Sequence, residues 1–72
     1  MNFGAALEQM KLFDKKIHRK NDDGYFYLDY IDYPNGRNYY LLYWESPTII
    51  LQGFDVLEAN DLVADDWEIK EG

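Results

Sequence analysis

The stretch GYFYLDYIDYPNGRNYYLLYWE, residues 24–45, restricts the fold more than any other part of the chain. Two runs rich in tyrosine and other β-favouring residues flank Pro34-Asn35-Gly36, the pattern of an antiparallel hairpin. Asn35-Gly36 suits a two-residue type I′ turn, whose central residues both need positive φ. That turn sets Tyr30 opposite Leu41, Leu28 opposite Tyr43 and Tyr27 opposite Trp44. One face then carries Phe26, Leu28, Tyr30, Tyr39, Leu41 and Tyr43. The other carries Tyr25, Tyr27, Ile31, Tyr33, Tyr40, Leu42 and Trp44. Both faces are apolar, and a one-layer sheet with one helix covers only one of them. The second is expected to meet another copy of the chain, a ligand or water, and a homo-oligomer is the ordinary solution.

The flanking segments supply the covering layer. Asn2 is a helix cap, and Phe3, Ala6, Leu7 and Met10 follow at the spacing of an amphipathic helix, read from about residue 3 to about residue 12. Lys11 falls in its last turn, where a cation suits the helix dipole. Residues 16–20 read as a short strand with Ile17 and Arg19 on one side and His18 on the other. Asn21-Asp22-Asp23-Gly24 is a loop by composition. After the hairpin, residues 45–48 form a turn and Thr48-Ile49-Ile50-Leu51 a buried strand. Residues 52–60 read as a loop. Asn60 or Asp61 caps a helical turn over residues 62–65, and Trp67 opens a final strand. The expected class is α+β: an N-terminal helix packed on a small antiparallel sheet with a central hairpin, a short C-terminal helical turn and a last strand.

Seventy-two residues make a single domain, 1–72, that buries about 60% of its unfolded surface. There is no cysteine, so neither a disulfide nor a thiolate metal site staples it, and the lone histidine, His18, makes no zinc site. His18 reads as a structural or edge-strand residue. The net charge is −7 and uneven. Residues 1–20 hold five cations against two acids, net +3; residues 21–72 hold two cations against twelve acids, net −10. Such a surface repels nucleic-acid backbones, so direct DNA or RNA binding is not expected. No apolar run is long enough to span a membrane, and no signal-peptide pattern is present, so a cytoplasmic location is expected.

Catalytic patterns are poor. His18 has no cysteine to activate. The one serine, Ser46, precedes Pro47 and lacks a nucleophile elbow, and no phosphate-binding glycine motif occurs. No enzyme activity and no cofactor are expected. The acid pairs Asp22-Asp23, Asp65-Asp66 and Asp29 with Asp32 read as solvated edges. What remains is recognition chemistry. Aromatic rings are platforms for bases, Arg19 and Arg37 have fork donors suited to phosphate, and Asn60 and Asp61 suit polar edges or ribose hydroxyls.

Three stretches, MNFGAALEQMK, KKIHRK and NDLVADDWEI, occur in an order that resembles the second Thoeris anti-defence family of phage and prophage proteins. Those proteins typically open on a Phe-Gly-x-Ala-Leu helix, continue with a Lys-x-x-Arg strand and end on Asp-Leu-x-Ala-x-Asp-Trp-Glu. The resemblance covers both ends of the chain, and its tail is the most specific part. It implies a non-enzymatic protein that sequesters a nucleotide immune messenger, a cyclic ADP-ribose isomer or a cyclic dinucleotide. It also implies a homotetramer with pockets between protomers. Arg19 falls on the family's basic strand position, and Asn60 and Asp61 on the polar stretch that lines its pocket. Where the family has Lys-Gly-Trp-Asn-Gly this chain has Lys20-Asn21-Asp22-Asp23-Gly24, and the family's Pro-Trp before the polar stretch is missing. Trp44 and Phe54 are the aromatics expected in their place, beside Arg19 and Lys20 as the phosphate contacts. The competing expectation is an acidic inhibitor or DNA mimic of a basic host protein, built from Asp22, Asp23, Asp29, Asp32, Asp65 and Asp66.

Overall fold

The computed structural model describes residues 1–36 and 38–71. Helix α1 (Phe3–Phe13) begins where expected, with Asn2 Oδ1 accepting the Ala5 N–H at 2.8 Å. Ala6 and Met10 form its buried face. It ends on Asp14 in the left-handed region (φ 54°), and the Lys15 N–H reaches back to Gln9 O.

The chain continues through β1 (Ile17–Arg19), β2 (Tyr25–Asp32), β3 (Asn38–Glu45) and β4 (Ile50–Gln52). Two short helices, α2 (Gly53–Val56) and α3 (Ala59–Val63), lead to β5 (Trp67–Ile69). The five strands form one antiparallel sheet in the order β4-β3-β2-β1-β5. The last strand thus closes on the first, with Ile17 opposite Ile69 and Arg19 opposite Trp67. This is the expected α+β architecture.

The hairpin register differs from the sequence expectation by one residue. Tyr30 pairs with Tyr40, Leu28 with Leu42 and Tyr27 with Tyr43. Pro34 is the reason. Its fixed φ suits the second position of a turn running from Tyr33 to Gly36, closed by Gly36 N–H to Tyr33 O at 3.0 Å. Gly36 then takes the positive φ of 78° that ends the turn. A one-residue slip moves every β3 side chain to the opposite face. Phe26, Leu28 and Tyr30 therefore share a face with Tyr40, Leu42 and Trp44. Tyr25, Tyr27 and Ile31 share the other with Tyr39, Leu41 and Tyr43.

The helices lie against the first of these faces. The core is Ala6 and Met10 of α1 with Ile17, Phe26, Leu42 and Trp67 of the sheet. Trp67 is 1% exposed, its ring centroid 5.3 Å from Phe3 and 5.6 Å from Phe26. Its indole N–H donates to Asp61 O at 2.8 Å, so a buried indole is fully paired. The second face stays uncovered, with Tyr27 and Tyr43 stacked at 5.6 Å and Tyr39 and Leu41 exposed.

Three further expectations are corrected. The strand read over Thr48-Ile49-Ile50-Leu51 is an exposed edge that begins at Ile50, because among the described residues no strand pairs beyond β4. The loop read over residues 52–60 contains α2. The helical turn after Asn60 begins earlier, at Ala59, and Asn60 lies within it. Its N-cap is Glu58, neither Asn60 nor Asp61; Asp61 is the third helical residue, and its Oδ2 accepts the Glu58 N–H at 2.8 Å, the reach-back half of a capping box.

Candidate functional site

Alternation along β1 turns Ile17 into the core, which leaves Arg19 at the rim of the same side. There its guanidinium meets two carboxylates from the end of the chain. Arg19 Nε donates to Asp66 Oδ1 at 2.5 Å and Nη2 to Asp66 Oδ2 at 3.2 Å, a bidentate pair. Arg19 Nη1 donates to Asp61 Oδ1 at 2.8 Å. Asp66 is brought there by the β1–β5 register, which places its neighbour Trp67 beside Arg19. Asp61 is brought there by the cap of α3.

A fourth side chain completes the cup. Asp22 Oδ1 accepts the Gly24 N–H at 3.0 Å, and Oδ2 accepts the Trp44 indole N–H at 3.2 Å. Gly24 is required at that point, since a methyl there would overlap the Trp44 ring and the Glu45 carbonyl. Arg19, Asn21, Asp22, Asp61 and Asp66 surround an open cavity of about 290 Å³. Trp44 is tied to its wall through Asp22.

Electrostatics defines what the cup accepts. The hydrogen bonds from Arg19 hold the Asp66 carboxyl below its ordinary range, against the opposing effect of desolvation. Hydrogen bonding to Asp66 and then to Asp61 raises the Arg19 guanidinium further above its already high value. Three carboxylates against one guanidinium leave the cup acidic, and Arg19 has three of its five N–H donors engaged within the protein. The cup is matched to hydroxyl and amino donors, such as a ribose diol or the donor edge of a base. Two N–H donors of Arg19 are left over for a phosphate, on a guanidinium whose charge two carboxylates already offset. Lys20, exposed and next in the chain, is the adjacent cation.

The residues expected at a ligand site are therefore divided. Arg19 and Asp61 touch, Trp44 joins through Asp22, and Lys20, next to Arg19 in the chain, is exposed and does not line the cup. Asn60 is exposed on α3 and does not line the cup. Phe54 does not line it either: it borders an apolar pocket with Leu42, Leu57 and Leu62. Arg37 lies outside the described residues. Sequence reading did not place Asn21, Asp22 or Asp66 at the ligand site; Asp22 and Asp66 entered it only as members of an acidic row. The signal for Asp66 was its place before the core tryptophan, where strand pairing aims it at β1.

Other chemistry is sparse. Among the described residues no group of three His, Cys, Asp or Glu is placed to hold a metal ion. His18 Nδ1 lies 2.9 Å from Arg19 O. Two of the six acids considered for a DNA-mimicking row, Asp22 and Asp66, bond to groups of the protein itself. No described helix is long and apolar enough to cross a membrane. No protein-family model, curated protein or solved structure matches the chain.

Proposed function

We propose that this protein binds and sequesters a cyclic nucleotide messenger, a cyclic ADP-ribose isomer or cyclic dinucleotide, without transforming it. It would act as an anti-defence protein that withholds the signal from a host effector. One observation carries the reading: Arg19 is clamped by Asp61 and Asp66 at the mouth of a cup whose far wall, Asp22, is bonded to Trp44. Carboxylates set around an open space suit the hydroxyls of a ribose, and an indole at the margin suits a base. The likeness of both chain ends to the second Thoeris anti-defence family supports the ligand class.

The acidity of the cup adds a condition. A messenger with two phosphates requires cations that one protomer does not place around the cup. Lys20 follows Arg19 in the chain and supplies one nearby; the rest would come from another copy. The reading therefore includes a homo-oligomer, a tetramer by the same likeness, assembled over the uncovered face of Tyr27, Tyr43 and Leu41. Copies joined there shield tyrosines that a lone sheet leaves wet.

Isothermal titration against a panel of cyclic ADP-ribose isomers and cyclic dinucleotides tests the proposal. Saturable heat is expected with at least one, and the ligand should be recovered intact after heat denaturation of the complex. Absence of heat across the panel at micromolar protein overturns the nucleotide reading, and recovery of a cleaved ligand overturns sequestration.

A further inference from the structure

A second cavity, of about 480 Å³, lies on the opposite flank of α3. Phe3, Leu7 and Lys11 of α1 form one wall and Leu28, Tyr40 and Leu42 of the sheet its floor; Phe54, Leu57 and Leu62 close the far side. Its size falls in the range of about 300–1,000 Å³ usual for small-molecule sites, as does its make-up of apolar walls with few polar groups. Lys11 is the one charged side chain on its lining, with the Tyr40 hydroxyl as the other polar side-chain group. Lys11 is exposed and forms no ion pair among the described residues. It also sits in the one basic segment of an acidic chain.

We propose that this pocket binds a small amphipathic monocarboxylate, of the fatty-acid type, with its tail against Leu28, Leu42 and Leu57 and its carboxylate on Lys11. Charge decides the class. An apolar cavity alone accepts any greasy molecule, but a single unpaired ammonium at the rim favours one anionic head and penalises a cationic one. A phosphate-rich nucleotide does not fit a lining of eight non-ionic residues and one cation, so the site is separate from the acidic cup and stands independently of the function proposed above.

Titration with hexanoate, octanoate and decanoate tests the tail. Affinity should tighten by about fourfold for each added methylene until the chain fills the pocket. Octan-1-ol and octylammonium test the head: octanoate should bind tightest and octylammonium weakest. Lys11→Ala should weaken octanoate by about threefold and remove its advantage over the alcohol. Leu62 is half exposed, so Leu62→Trp keeps the fold while obstructing the pocket, and it should weaken all three compounds. Methyl shifts in the NMR spectrum should concentrate at Leu7, Leu28, Leu42, Leu57 and Leu62.

Four results overturn the proposal. They are no saturable binding with millimolar decanoate, equal binding of octanoate and octanol to the unmutated protein, shifts centred on the Tyr27–Tyr43 face, and dilution-dependent shifts of the pocket methyls without ligand. The last would mean that a second copy of the chain fills the pocket.

Discussion

Asp61 holds Arg19 with one carboxylate oxygen, at 2.8 Å, and caps α3 with the other, also at 2.8 Å. Its carbonyl meanwhile accepts the indole of Trp67. One residue thus joins β1, α3 and the centre of the core. Asp61→Ala removes the cap and frees half of the arginine clamp while sparing the carbonyl. Loss of a cap costs about 0.5–2 kcal/mol, so the melting temperature should fall by roughly 4–8 °C for each kcal/mol lost. Asp61→Asn keeps a carbonyl oxygen for one of the two bonds and should fall less. Thermal denaturation by circular dichroism decides the order of the two.

Asp66 predicts the acid limb of the stability curve. Its carboxyl is held below the ordinary 3.8, first by the Arg19 hydrogen bond. A depressed folded value means that the stabilisation is complete above the unfolded value and is lost as pH falls through the folded one. The pair should therefore contribute evenly through neutral pH and fade only below about pH 4. Asp66→Asn should melt lower than the parent protein at pH 7, and the gap should narrow in strong acid. A gap independent of pH would show that the ion pair is not its source.

Much of this arrangement was legible in residue order, and the parts that were not share a cause. Asn2 and the spacing Phe3, Ala6, Leu7, Met10 specify α1 because capping and helical period are local. Trp67 announces β5 for the same reason. The hairpin was legible in kind but not in register, because Asn35-Gly36 and Pro34 favour different turns and the proline, with its fixed φ, prevails. Ile49, Ile50 and Leu51 read as core because hydrophobicity does not say which strand lies at an edge. Arg19 and Asp61 were legible as polar residues with work to do. That Asp66 and Asp22 complete their site depends on pairings across 47 and 22 residues of chain, which no local pattern contains.

Gly24 supports the cup sterically. It lies under the Trp44 ring, with no room for a side chain. Gly24→Ala should push the indole away and break its bond to Asp22. Overpacking of this kind costs about 1–3 kcal/mol, read as a lower urea midpoint with an unchanged slope. If the cup is the proposed messenger site, nucleotide binding should weaken more than stability alone explains, since Asp22 loses its anchor. Asp22→Asn keeps one acceptor oxygen for either the Gly24 or the Trp44 N–H and turns its amide on the other, so it should lower the urea midpoint as well, and its loss of affinity is to be compared with that of Gly24→Ala at matched stability.

The edge at β4 offers copies a second route of association beside the Tyr27–Tyr43 face. Ile49 is 49% exposed and Ile50 57%, beside backbone groups that no further strand engages among the described residues. An apolar edge is a template for strand addition, and natural sheets block such edges with lysine. Ile50→Lys adds that block at a position the core does not use, so the melting temperature of dilute protein should change little. Sedimentation velocity over a range of concentrations should show the parent chain as an oligomer and the variant shifted toward the monomer. If the proposed messenger site needs cations from a second copy, the variant should lose nucleotide affinity in proportion to its dissociation, and high protein concentration should restore it. A variant that stays assembled would assign the contact to the Tyr27–Tyr43 face alone. Tyr43→Asp would then be expected to separate the copies.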